Sequence, residues 1–302
     1  MMHSSNPVFR RSEGFNGRPP TDAYGQQRAG SGVTYPAYGT PQQGAPTDSW
    51  GNDPHAPTQV DQGRMTIDSV VQKTGITLGV VVVAATMTWM LTGDIASSDP
   101  EETQQTLALL YTLSLVGGLT GFALSMVNSF KRVISPALVL AYAVMQGIAV
   151  GAFSKVVESF FGTGQDGYPG LVIGAVVGTV AAVIGTLAAY KFFDIKVGNK
   201  FRTWVVAAMF GFVALSLMDL MLGMFASNLG INGFGPMGLL FSVIGLAIGV
   251  FMLILDFDFI ERGIEAGLPE RESWRAAFGL TVAIVWIYIE LLRILAILRG
   301  GE

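Results

Sequence analysis

Seven apolar runs govern what this chain can become. Each is close to the ~20 residues that carry a helix across a ~30 Å hydrocarbon core. They fall at about 75–93, 106–128, 135–156, 170–190, 203–226, 236–257 and 275–298. The expected fold is an all-α membrane protein, a seven-transmembrane helix bundle in a lipid bilayer. Composition agrees: 51% of residues are hydrophobic and 13% are charged, against about 25% charged in soluble domains. The third run has a marked start, with Ser135 placed to cap and Pro136 at the first helical position.

The residue inventory excludes several chemistries. There are no cysteines, and the two histidines, His3 and His55, lie near the N-terminus. Serine–histidine hydrolysis, thiol catalysis and zinc hydrolysis therefore fail for want of groups. No nucleophile–base motif appears, so no enzyme and no cofactor are expected. The pI of about 5.2 and the lack of a basic stripe argue against nucleic acid.

Residues 1–64 read as a disordered cytoplasmic tail, and 65–302 as the membrane domain. Eight of the thirteen prolines fall in the tail, among Gly, Gln, Ser and Thr. Such a segment buries too little apolar area to offset chain entropy. It has no apolar core of the kind a signal peptide needs. Met65 to Thr74 mixes apolar and charged residues, and predicts a short interfacial helix with Ile67, Val70, Val71 and Lys73 at the headgroup boundary.

The loops predict orientation. Arg64, Lys73, Lys131, Arg132, Lys191, Lys196, Lys200, Arg202, Arg262, Arg271 and Arg275 all fall on one side, while Lys155 and Arg299 alone lie near span ends on the other. The positive-inside rule puts the N-terminus in the cytoplasm. Seven spans put the C-terminus outside, whereas a re-entrant seventh segment would return it. Trp89, Trp204, Trp274 and Trp286 read as interface anchors. Small residues recur four apart, as in Gly117/Gly121/Ser125, Gly147/Gly151, Gly170/Gly174/Gly178 and Gly245/Gly249. That spacing lets helices approach closely in lipid. Met218, Met221 and Met224 read as packing residues rather than a metal site.

The ionisable residues within apolar runs are the candidate site, since each costs ~2.5–3.5 kcal/mol to insert. Asp256 and Asp258 end the sixth run. Two residues apart, they face different sides of their helix, so one at most is expected to face the bundle. Lys131 and Arg132 lie at the same level and are candidate charge partners, although both aspartates could equally be solvated. Asp219 in span five and Glu290 in span seven share a depth, roughly 24 and 22 Å from the inner ends of their helices. Arg293 is one turn beyond Glu290 and pairs with it, either as a site or as a structural bridge. Asp219 has no base within its own span, so it carries a proton, faces water or meets a partner helix.

These features resemble the Bax inhibitor-1/YccA family, particularly its longer bacterial branch. The resemblance covers about 65–300. It rests on MTIDSVVQKTG before span one, ISPALVLAYAVMQG opening span three, LDFDFIERGIEAGLPERESW leaving span six and AAFGLTVAIVWIYIELLRIL in span seven. It implies a seven-helix bundle with a central last helix, a bacterial plasma-membrane location and a pH-dependent calcium leak. In that leak, an aspartate of span six and one of span seven share protons, helped by a base of span two. Asp256 matches the first aspartate, and Arg132 or Lys131 stands near the base. Ala283 occupies the position of the second aspartate, and Gln146 stands where glutamate is frequent. Asp258 could substitute locally, or Glu290 could move the acidic site outward.

Two functions follow as expectations. One is a proton-gated leak in which Ca²⁺ is cargo held by carboxylate oxygens. The other is a non-conducting regulator that binds a membrane partner, such as a quality-control protease.

Overall fold

The computed structural model describes residues 63–93, 95, 99–162, 170–193, 195, 197–225 and 229–300. The chain divides into Met1–Pro57 and Thr58–Glu302, and only the second unit is described below. The expected disordered tail lies outside the described residues except for Gly63 and Arg64.

Among the described residues, seven helices follow one another: α1 (Ile67–Leu91), α2 (Pro100–Phe130), α3 (Pro136–Phe161), α4 (Leu171–Phe192), α5 (Asn199–Phe225), α6 (Pro236–Glu265) and α7 (Glu272–Gly300). All seven are long and apolar enough to cross a membrane. The protein is an all-α, multi-pass membrane protein. Helix α7 is continuous over 29 residues, about 43 Å, and is not re-entrant. It packs on α1, α3, α4 and α6, which makes it the central helix. Its buried Ala276, Ala277, Ala283 and Ala296 keep its girth small enough to be surrounded.

Three helix ends differ from the sequence reading. No separate interfacial helix precedes span one, because α1 already starts at Ile67. Thr66 and Ser69 form a reciprocal capping box that nucleates it there. Val70 and Lys73 are buried rather than set at a headgroup boundary, although Ile67 and Val71 are exposed. Lys73 donates to the Glu270 carboxylate at 2.9 Å, and Met65 N–H donates to the Leu268 carbonyl. The entry to α1 is thus pinned to the α6–α7 turn. Helix α6 runs on past residue 257 to Glu265 and ends in a Schellman turn. Leu268 N–H returns to the Gly263 carbonyl and Gly267 N–H to Ile264, with Gly267 at φ +65°. Asp256 and Asp258 therefore lie two turns inside a helix and not at its end. Ser135 occupies the cap position of α3 without a side-chain cap, while Pro136 is at the first turn as expected.

The small-residue spacing does what lipid packing requires. A Cβ placed on Gly117 would sit 3.1 Å from the Met145 carbonyl oxygen, and one on Gly151 would sit 2.5 Å from that of Ala85. Helices α2 and α1 each press their backbones onto α3 in this way.

Candidate functional site

Charged side chains gather at two levels of the α6–α7 interface. Near the α6–α7 turn, Asp256 faces α7. A Cβ on Gly279 would lie 2.5 Å from its Oδ1, so the carboxyl occupies space that only glycine leaves open. Its Oδ2 is buried and has no hydrogen-bond partner among the described residues. Asp258 faces the other way and is itself buried. Arg262, one turn on, meets Oδ1 at 2.9 Å, and Arg202 of α5 meets Oδ2 at 3.1 Å. Arg262 also donates to the Val197 carbonyl. Both aspartates are thus held inside the fold, on opposite flanks of α6. The expectation that one at most would turn inward was too strict, because α5 covers the flank left open in sequence.

Lys131 and Arg132 do not join this cluster. Both are exposed, and among the described residues neither side chain forms an ion pair. Their backbone carbonyls instead accept from the Arg275 guanidinium, at 3.5 and 2.9 Å. The bases that do pair, Arg202 and Arg262, belong to Asp258. Ala283 is fully buried beside Leu253, Leu280 and Ile287, one turn from Gly279. It offers Asp256 a methyl-lined neighbour and no second carboxyl. Asp258 does not replace that carboxyl, since it is turned to α5. Gln146 lines a separate cavity of about 210 Å³ with Ser114, whose hydroxyl is buried and unpartnered.

The second level lies toward the α5–α6 loop. Glu290 and Arg293 form a buried pair at 3.4 Å. A Cβ on Gly245 would fall 2.7 Å from Glu290 Oε1. Arg293 also donates to the Ile231 carbonyl at 2.8 Å. Asp219 is buried and accepts from Leu229 N–H at 2.6 Å, Asn232 N–H at 3.0 Å and Asn232 Nδ2 at 2.9 Å. The depth shared by Asp219 and Glu290 in sequence is thus a shared loop, 229–232, gripped from both sides. The two levels are 11 residues apart along α6 and along α7, or about 16 Å, so Glu290 and Asp256 do not meet.

This geometry makes Asp219 a loop anchor. Asp219→Ala should remove all three bonds and leave two backbone N–H groups to find new partners. Charge-assisted bonds of this kind contribute about 1.5–3 kcal/mol. The expected result is faster amide exchange at Leu229 and Asn232, with α1–α3 exchange unchanged.

Trp286 is not an interface anchor. Its Nε1 donates to the Gly245 carbonyl at 2.9 Å, and its ring lies 5.2 Å from that of Phe212. Trp204 is exposed, as an anchor would be. Met218 and Met221 are exposed rather than packed, and the Met224 side chain lies outside the described residues. Among the described residues, no three His, Cys, Asp or Glu side chains gather as a metal site.

Sequence reasoning missed Gly279, Arg202, Arg262 and Asn232 as partners of these acids. Only Arg262 left a signal, its four-residue spacing from Asp258. The others depend on which helices touch. No curated protein matches the chain. A family model described as Bax inhibitor 1 like matches residues 6–300, and so reaches well into the segment read above as tail.

Proposed function

The chain belongs to the Bax inhibitor 1-like family, and from that premise we propose that it is a pH-sensitive leak for Ca²⁺ or a similar cation. Asp256 carries this reading. It is a carboxyl inside a membrane span, packed on the central helix at Gly279, with a buried oxygen that nothing satisfies. Groups of this kind in hydrocarbon are costly and accompany ion or proton pathways. Deprotonated, Asp256 offers oxygen ligands to a divalent cation. Protonated, it does not. A lone carboxylate also suits a leak, since a conducting site must release its ion. The proposed setting is a bacterial plasma membrane with the N-terminus cytoplasmic and the C-terminus outside.

In this reading the switch has one acid where the resembling pattern has two, because Ala283 replaces the second. Beside it, Asp258 is already met by both Arg202 and Arg262, and this cluster braces α5 against α6. Ca²⁺ flux into proteoliposomes, measured at several pH values, tests the proposal. Flux should fall as pH falls and Asp256 takes up its proton. Asp256→Asn should hold flux at the low-pH level throughout, at least tenfold below the unsubstituted protein at high pH. Flux that keeps its pH dependence in Asp256→Asn would remove Asp256 as the switch. No flux above empty vesicles, from folded and inserted protein, would remove the leak.

A second reading, a non-conducting regulator bound to a membrane partner, is favoured by helix α5. Among the described helices its backbone approaches only α6, and Trp204, Phe210, Leu217 and Met221 are exposed on it. A partner helix placed there would lie beside Arg202 and the Asp258 cluster.

A further inference from the structure

The backbones of α1 and α4 do not approach each other. Between them runs a groove of about 740 Å³, floored by α3 and α7. Its walls include Val82 on α1 and Ile173, Val176 and Val180 on α4, all of them exposed. Along α1 the groove extends from Leu78 to Trp89, and along α4 from Gly170 to Val180. These rises are about 16 and 15 Å, half of a ~30 Å hydrocarbon core.

The two ends of the groove differ. Trp89, Glu158 and Gly170 mark one end, where α1 and α3 finish and α4 begins. That end lies at a membrane face, and its indole and carboxylate suit the interface. Leu78, Val180 and Ile284 mark the other end, in mid-bilayer, and are wholly apolar. A polar rim over a largely apolar groove one leaflet deep, with the Ser154 and Tyr288 hydroxyls on its floor, matches a lipid. A transmembrane helix from a second copy would cross both leaflets, and this groove stops midway.

We propose that this groove binds one phospholipid of the leaflet next to the α3–α4 connection. One of its two acyl chains lies between α1 and α4, and an ammonium-bearing headgroup sits beside Glu158. The Glu158 carboxylate accepts from Val172 N–H at 2.8 Å, which fixes it at the rim. Lys155, on the preceding turn, donates its ammonium to the Trp89 and Thr92 carbonyls. Deeper in the groove, the Ser154 and Tyr288 hydroxyls meet at 2.8 Å. One hydrogen serves that bond, and the other hydroxyl donates to an ester carbonyl of the lipid. Phosphatidylethanolamine fits this rim better than phosphatidylglycerol.

Native mass spectrometry of the full chain tests the site, with detergent-purified protein and either lipid supplied on the same acyl chains. One phosphatidylethanolamine should stay bound after loosely held lipid has been stripped. Val82→Trp with Val176→Trp fills the groove from both walls and should reduce retention at least tenfold. Glu158→Gln should abolish the preference over phosphatidylglycerol. Retention unchanged in the filled variant overturns the site, and equal retention of both lipids by the unsubstituted chain overturns the headgroup assignment. Loss of a dimer instead of a lipid would assign the groove to a second copy. Should the filled variant fail to fold, phosphatidylethanolamine with a photoreactive acyl chain decides on the unsubstituted protein. Label on residues 78–89 and 170–180 upholds the proposal, and label confined to α2 and α5 overturns it.

Discussion

Arg293→Met is expected to destabilise the bundle by about 3–5 kcal/mol, the range seen when one partner of a buried ion pair is removed. Glu290 is 4% exposed and Arg293 7%, so neither has solvent to fall back on. Without the guanidinium, the Glu290 carboxylate stays wedged where Gly245 makes room for it, and the Ile231 carbonyl loses its donor. Adding Glu290→Gln removes the stranded charge. The double variant should recover most of the loss, because buried pairs replaced together are often near neutral. Glu290→Gln alone should cost less than Arg293→Met, since Arg293 keeps the Ile231 carbonyl. Unfolding in mixed micelles would measure all three. Equal losses in the single and double variants would mean that the arginine acts through packing and not through charge.

Much of the architecture was legible because lipid imposes a length on each run. Seven runs near twenty residues, separated by charged or Pro- and Gly-marked joints, left little choice of topology. Helix ends were less legible, since they depend on partners far away in sequence. The stretch before Gly75 looks interfacial when Asp68 and Lys73 are counted as solvent-facing. It belongs to α1 because the Lys73 ammonium reaches Glu270, 197 residues on. The site followed the same pattern. That Asp256 and Asp258 face apart, and that Glu290 pairs with Arg293, follow from helical periodicity alone. That Asp258 is neutralised from α5 while Asp256 is left unpartnered depends on contacts between helices. Trp286 misled for a related reason. Tryptophan at a span end reads as an anchor, but Trp286 stands midway along α7, the helix that α1, α3, α4 and α6 pack against, so its indole meets the Gly245 carbonyl instead of headgroups.

Close backbone contact carries the other large expected effect. A Cβ on Gly147 of α3 would lie 2.5 Å from the Val81 carbonyl oxygen and 2.7 Å from Ala84 Cβ. The obstruction is largely backbone, which cannot rotate away, so Gly147→Leu must push α1 off α3. Overpacking costs about 1–3 kcal/mol where side chains can shift, and here the upper end or more is expected. Gly79 supplies the control, lying on α1 with nothing within 4 Å of its would-be Cβ. Gly79→Leu should be neutral or stabilising by up to about 1 kcal/mol, since a mid-helix glycine is unfavourable in itself. The pair separates backbone approach from added bulk, because the same side chain enters the same two-helix unit at an open position and at a closed one. Separation of α1 from α3 would also widen the groove that α3 floors, so Gly147→Leu should lose bound phospholipid along with stability, and Gly79→Leu should lose neither. Equal stability in the two variants would show that α1 and α3 do not approach as closely as their glycines permit.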